Sequence, residues 1–277
     1  MNYRHIYHAG NRCDVVKHAT LSLIIDHLKQ KPAPFCVLDT HAGIGLYNLS
    51  DDRAQKTNEA QDGIIAYWQA PRIDALSSYH HVIEALNPLG SLTQYPGSPA
   101  LIARLLRPGD RYVGCEWHSE DAETLKHTMW HYPQAQIHHR NGYEALSALL
   151  PPAEKRGLVL IDPPFEQPDE FDEMADRTIA AYGRWSQGIY ALWYPIKERP
   201  ALWRFQEKMA ASGIRKQLVA EFVFQEETRS DRLNGSGMLI INPPWQLADT
   251  LQTLYPQLHI AMRTEHQASD VRWLVGE

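Results

Sequence analysis

The sequence predicts an α/β fold: a doubly wound, mostly parallel sheet with helices on both faces and a small helical insertion. Three observations carry this. Short apolar runs recur along the 277 residues, and most are separated by stretches with helical spacing. Several runs end in polar or glycine-containing turns, at the strand ends where such sheets bind ligands. One interval between runs is far longer than a helix and its loops require.

Residues 14–30 form the first predicted helix, with Val16, Ala19, Leu23, Ile24 and Leu28 at helical spacing and Pro32 and Pro34 ending it. Residues 35–39 are the first strand. Thr40-His41-Ala42-Gly43-Ile44-Gly45 follows as a turn whose glycines let the backbone approach a ligand closely. From Gly45 to the end of the next strand, 111–116, there are about 70 residues, where roughly 20–30 suffice. The surplus, 47–96, holds helical patterns at 59–69 and 75–87 and is expected to be an insertion subdomain, with 1–46 and 97–277 forming the main domain. Ser98 is expected to cap the following helix, with Pro99 in its first turn. Later strands are predicted at 135–138, 157–162, 189–193, 217–224 and 238–242, and helices at 120–130, 142–149, 171–185 and 201–212. The connection 225–237 is too short for a crossover helix, so the last two strands suit an antiparallel pair.

Composition narrows the classes. Apolar and charged fractions of 44% and 22% are those of a soluble globular protein. No apolar stretch approaches the roughly 18–20 residues that span a membrane, and Met1-Asn2-Tyr3-Arg4-His5 lacks the apolar core of a secretory signal. A cytoplasmic protein is expected, with no membrane partner. Cys13, Cys36 and Cys115 form no Cys-x-x-Cys pair, and Cys36 and Cys115 fall within predicted strands as core residues. The doublets His80-His81 and His138-His139 point apart in any regular element, so no metal is expected. The net charge of −6 does not advertise nucleic acid, yet the segment through Lys31 carries +3 and the remainder −9. A locally basic N-terminus permits phosphate contacts there.

The most informative segment is Asp162-Pro163-Pro164-Phe165, directly after the apolar run Leu158-Val159-Leu160-Ile161. An acid, two prolines and an aromatic at a strand end match the Asp/Asn-Pro-Pro-aromatic motif of enzymes that methylate exocyclic amino groups of nucleobases. The lone pair of such an amino group is delocalised into the ring. A carboxylate and the Pro163 carbonyl can bind its two N–H groups and turn the lone pair toward an electrophile, while the Phe165 ring stacks on the unpaired base. Asn242-Pro243-Pro244-Trp245 fits the same loose pattern after Met238-Leu239-Ile240-Ile241. Strand order favours the first copy. The glycine turn, Glu116 at the second strand end as a ribose acceptor, the Asn141-Gly142 turn at the third and Asp162 at the fourth follow the order of an S-adenosylmethionine (SAM) site. Position 48 is Asn rather than Gly, so the dinucleotide fingerprint is incomplete and hydride transfer is disfavoured.

Taken together, these segments resemble the bacterial 23S rRNA (adenine(2030)-N6)-methyltransferase family along the whole chain. The resemblance is carried by Tyr3-Arg4-His5 with His8-Ala9-Gly10-Asn11, Asp14-Val15-Val16-Lys17-His18, Asp39-Thr40-His41-Ala42-Gly43, Tyr95-Pro96-Gly97-Ser98-Pro99, Leu160-Ile161-Asp162-Pro163-Pro164, Ala191-Leu192-Trp193-Tyr194-Pro195, and Ser236-Gly237-Met238 with Ile241-Asn242-Pro243-Pro244-Trp245. It implies a Rossmann-like class I SAM-dependent methyltransferase sheet. It also implies SAM contacts from His18, His41, Gly43, Ser98, Glu116, Asn141 and Gly142, with Lys17 beside them. Asp162 becomes the amino-group acceptor, and Tyr3 lies against the RNA. The insertion would be an RNA-facing surface, and a monomer acting on 23S rRNA is expected. The family usually has Asp where this chain has Asn141, and Tyr where it has Phe165. The motif alone leaves a DNA adenine substrate open, and an RNA-binding protein with a vestigial SAM pocket is the alternative of another class.

Overall fold

The computed structural model describes residues 4–227 and 232–277. A short 3-10 turn, His5–Tyr7, precedes helix α1 (Arg12–Lys29). That helix begins two residues before the predicted start because Asn11 caps it, accepting from the Asp14 amide. Strand β1 (Cys36–Asp39) follows, then β2 (Leu46–Asn48), three short helices α2 (Asp52–Thr57), α3 (Ile64–Gln69) and α4 (Ser77–Leu86), and β3 (Gln94–Pro96), which pairs antiparallel with β2. The chain continues through α5 (Ser98–Leu105), β4 (Arg111–Glu116), α6 (Ser119–Met129), β5 (Ala135–His139), α7 (Gly142–Leu149), β6 (Gly157–Ile161), α8 (Glu170–Arg184), β7 (Ile189–Ile196), α9 (Arg199–Ala210), β8 (Gln217–Val223), β9 (Gly235–Ile241), α10 (Leu247–Ala261) and β10 (Ala268–Val275).

Eight strands form one sheet in the order β10-β8-β9-β7-β6-β1-β4-β5. The pairs β1–β4, β4–β5, β1–β6 and β6–β7 are parallel, while β9 runs antiparallel to β7 and β8, and β10 antiparallel to β8. The expected antiparallel pair is thus present. The chain leaves β1 toward β4 and β5, then returns on the other side at β6, so the switch point lies between β1 and β6.

The sheet is buried on both sides. Val37, Leu158 and Leu160 join a core with α1, α5 and α10, whereas Leu38, Val159 and Ile161 join a second core with α7, α8 and α9. That alternation is the two-residue period of a strand, hidden in the sequence by apolar residues on both faces. The stretch between β2 and β3 buries Tyr67, Tyr79 and Ile83 in the first of these cores, against α1 and α10.

Two elements depart from the sequence expectation. Gly97, not Ser98, is the cap of α5, because the Ser98 hydroxyl is turned away to donate to Asp39 Oδ2 at 2.7 Å. Helix α10 and strand β10 complete the fold beyond the last predicted strand. Strand β10 is an edge strand with exposed Ser269, Asp270 and Trp273, so its identity comes from pairing with β8 rather than from an apolar pattern.

Candidate active site

At the switch point, the carboxyl ends of β1, β4, β6 and β7 and the start of α1 surround a cavity of about 370 Å³. This falls within the ~300–1,000 Å³ range of small-molecule sites. Lys17, His18, His41, Gly43, Ser98, Glu116, Asp162, Pro163 and Phe165 all line it. Residues from five separate chain segments therefore converge where the sequence placed them. Tyr3 lies outside the described residues.

Asp162 follows the buried strand β6 directly, and the two prolines after it fix the backbone turn that presents it. Its Oδ2 accepts from Lys17 Nζ at 2.7 Å. The same ammonium lies 2.9 Å from Asp14 Oδ1. Asp14 Oδ2 takes the Gly10 amide at 2.9 Å and faces His5 Nε2 at 2.8 Å. Asp14 and Lys17 sit three residues apart on α1 and share a face. Burial alone would lower the Lys17 ammonium, but Asp14 and Asp162 outweigh it and hold its pKa well above the ordinary value. Burial likewise works against the Asp14 carboxylate, but His5 and Lys17 hold its pKa well below the ordinary value.

On the β4 side, Glu116 Oε2 accepts the Gly43 amide at 2.8 Å and Oε1 accepts the His118 amide at 2.7 Å. Each oxygen keeps a second lone pair for a ligand donor. Burial raises the Glu116 pKa. Gly43 has φ 63, and a side chain there would strike the Tyr47 hydroxyl, so only glycine fits. Asp39 is fully buried. Its Oδ2 accepts from Ser98 and Tyr112 while Oδ1 has no partner among the described residues, and burial pushes its pKa up to about 6.

His18 and His41 are held neutral. Burial, then the Lys17 charge, pushes His18 down to about 3, and burial pushes His41 down to about 4. His18 Nδ1 is 2.8 Å from Tyr95 OH, which in turn lies 3.0 Å from Tyr79 OH. His41 Nδ1 is 2.7 Å from Thr40 Oγ1.

Phe165 has φ 51, a left-handed conformation uncommon for an aromatic residue and typical of constrained functional turns. Its ring packs on Phe171 at 4.8 Å and meets Trp193 edge-on at 6.0 Å. Lys17 Nζ lies 5.8 Å from the Trp193 ring centroid.

Asn141 and Gly142 do not line the cavity. Asn141 Oδ1 caps α7, accepting from the Tyr143 and Glu144 amides, and a Cβ on Gly142 would collide with the Thr40 carbonyl. The second Pro-Pro motif is remote. Because β9 runs antiparallel to β7, Asn242 emerges beside the start of β7, where its amide donates to the Ser186 and Gly188 carbonyls at 2.9 and 2.8 Å. It shapes a loop at the opposite end of the sheet from Asp162.

Asp14, His5, Glu59, Trp193 and Lys197 also line the cavity, and sequence reasoning had not singled them out as site residues. Only Asp14 left a signal, in its i, i+3 spacing to Lys17. The others meet through long-range packing: His8 Nδ1 lies 2.8 Å from Glu59 Oε1, 51 residues away.

Comparison with known proteins identifies relatives that span the chain. Residues 32–275 match a family model described as ribosomal RNA large subunit methyltransferase D, RlmJ. The chain is 39% identical to the ribosomal RNA large subunit methyltransferase J of Escherichia coli (strain K12), with 100% of both chains covered. It is 38% identical to that of Haemophilus influenzae, again over 100% of both. A crystal structure of a Legionella pneumophila protein superposes with a TM-score of 0.89 at 31% identity, covering 96% of this chain and 98% of that one. A sheet with its switch point at Asp39 and Asp162, matched along its length by these relatives, identifies the chain as a member of the ribosomal RNA large subunit methyltransferase J family.

Proposed function

We propose that this protein transfers a methyl group from SAM to the N6 amino group of an adenine in 23S rRNA, the base at position 2030 that the family resemblance implies. One observation carries the reading. Asp162 lines the cavity together with Phe165 and is clamped through Oδ2 by Lys17, while Oδ1 receives no hydrogen bond from a described residue.

The residues present fit SAM. Glu116 retains lone pairs for a ribose diol, and Gly43 admits a ligand against the backbone. His18 and His41 are neutral, so they add no positive charge against the sulfonium. Bound SAM supplies a methyl group activated by its positive sulfur. Asp162 Oδ1 and the Pro163 carbonyl hold the two N6–H groups so that the lone pair faces that methyl. Asp162 would accept the proton that becomes acidic on N6 as the amino group is methylated. Phe165 stacks on the base, which must leave its helix to reach the cavity. Most of the acceleration comes from this positioning. The stretch 47–96 enters the reading as a substrate-side subdomain, since its Glu59 lines the cavity.

The test is Asp162→Ala assayed on deproteinised 23S rRNA with labelled SAM, beside a DNA competitor. Loss of transfer with SAM binding and folding intact is expected; near-normal transfer overturns the assignment. Mass-spectrometric mapping of N6-methyladenine in rRNA from cells with and without the protein identifies the base.

A further inference from the structure

We infer that Lys197 is a substrate contact, its ammonium receiving a phosphate that flanks the flipped adenosine at the mouth of the cavity. This rests on the function proposed above and adds the point at which the RNA backbone is held.

The cavity is acidic. Asp14, Glu59, Glu116, Asp121 and Asp162 line it, against Lys17 and Lys197 as its only lysines or arginines among the described residues. Lys17 is spent on Asp14 and Asp162. Of the four histidines in the lining, His18 and His41 are neutral, while His5 and His8 face the Asp14 and Glu59 carboxylates. Lys197 is exposed and forms no ion pair with a described residue. A polyanion approaching this cavity therefore meets repulsion from its walls and one uncommitted ammonium at its edge.

Position supports the same role. Lys197 directly follows β7, the neighbour of β6, whereas Glu116 ends β4 on the far side of β1. Three strand spacings of ~4.8 Å separate β4 from β7, about 14 Å, so Lys197 stands on the Asp162 and Phe165 side rather than beside the ribose acceptor. Its backbone is pinned. The Asn234 amide donates to the Ile196 carbonyl at 2.9 Å, and Asn234 Nδ2 donates to the Lys197 carbonyl at 3.0 Å. The base of the side chain is fixed, and the residue is exposed. A flipped base leaves its flanking phosphates at the rim, and phosphate contacts set the register that base contacts then read.

The experiment compares wild type, Lys197→Ala and Lys197→Arg on an unmethylated 23S rRNA transcript. Lys197→Ala is expected to raise the KM for RNA about five- to tenfold near physiological salt, leaving kcat and SAM affinity unchanged. The slope of log(kcat/KM) against log salt should become shallower by about 0.7–1, the signature of one lost phosphate contact. Lys197→Arg should restore both. An unchanged KM and salt slope in Lys197→Ala overturns the proposal alone, as does a fall in SAM affinity, which would assign Lys197 to the cofactor. A wild-type protein that transfers no methyl to the transcript overturns the functional reading and this inference with it.

Discussion

Lys17 Nζ lies 2.7 Å from Asp162 Oδ2, joining the first helix to the end of β6 across 145 residues of sequence. The same ammonium holds Asp14, so one buried cation fixes two carboxylates and engages one oxygen of Asp162. Replacing Lys17 leaves the buried Asp14 carboxylate with His5 and the Gly10 amide alone among the described residues, and breaking such a buried pair costs about 3–5 kcal/mol. Lys17→Met should lower unfolding free energy in urea by about 3 kcal/mol and reduce methyl transfer. In the double variant with Asp14→Asn, much of that stability should return while transfer stays low. Additive losses of stability would show that the two residues are not coupled.

Phe165 offers a ring where the family resemblance implies Tyr. Stacking on a base is worth about 1–3 kcal/mol. Phe165→Ala should therefore reduce kcat/KM for rRNA by about ten- to a hundredfold, with SAM affinity unchanged in calorimetry. Phe165→Tyr should remain within a few-fold of wild type. A large loss in the Tyr variant would mean that the pocket is shaped around the absence of the hydroxyl.

Asn242 tests the separation of the two Pro-Pro motifs. Its amide bonds the Ser186 and Gly188 carbonyls, and its φ is 52. Asn242→Ala loses both bonds and places an alanine in the left-handed region, together about 2–3 kcal/mol. The melting temperature should fall, while kcat below the transition stays at the wild-type value. Loss of kcat in a still-folded Asn242→Ala protein would contradict a purely structural role.

His18 imposes a pH dependence on folding. It is 1% exposed, and burial pushes its pKa down to about 3, against ~6.5 in the unfolded chain. Below that value the unfolded chain gains a proton that the fold refuses. The stability contributed by neutral His18 is therefore present above pH ~6.5 and is lost as pH falls toward 3, by up to about 1.4 kcal/mol per unit. Asp39, raised to about 6, acts in the opposite sense over part of this range. Comparison with His18→Gln cancels the Asp39 contribution. The stability advantage of wild type over His18→Gln should shrink by about 2 kcal/mol between pH 7 and 5 in urea titrations. A constant gap would show that His18 titrates alike in both states.

Much of the fold is written locally. The apolar runs at 36–39, 111–116 and 157–161, each buried on both faces, could only be central strands. The turns after them carry His41, Gly43, Glu116 and Asp162, which line the cavity, whereas the Asn141-Gly142 turn at the third strand end does not. Periodicity, proline and glycine are properties of neighbouring residues, so a sequence carries them explicitly.

Tertiary structure alone decided the rest. Strand β10 has no apolar pattern of its own and exists because β8 offers an unpaired edge. Ser98 gave up its capping role because Asp39, 59 residues away, provides a buried acceptor. The antiparallel direction of β9 sent Asn242 to the opposite end of the sheet from Asp162, a separation that no comparison of two similar tetrapeptides contains. The chain of His5, Asp14, Lys17 and Asp162 is likewise invisible along the sequence. Its charges take their strength from shared burial, and burial is set by how distant segments pack.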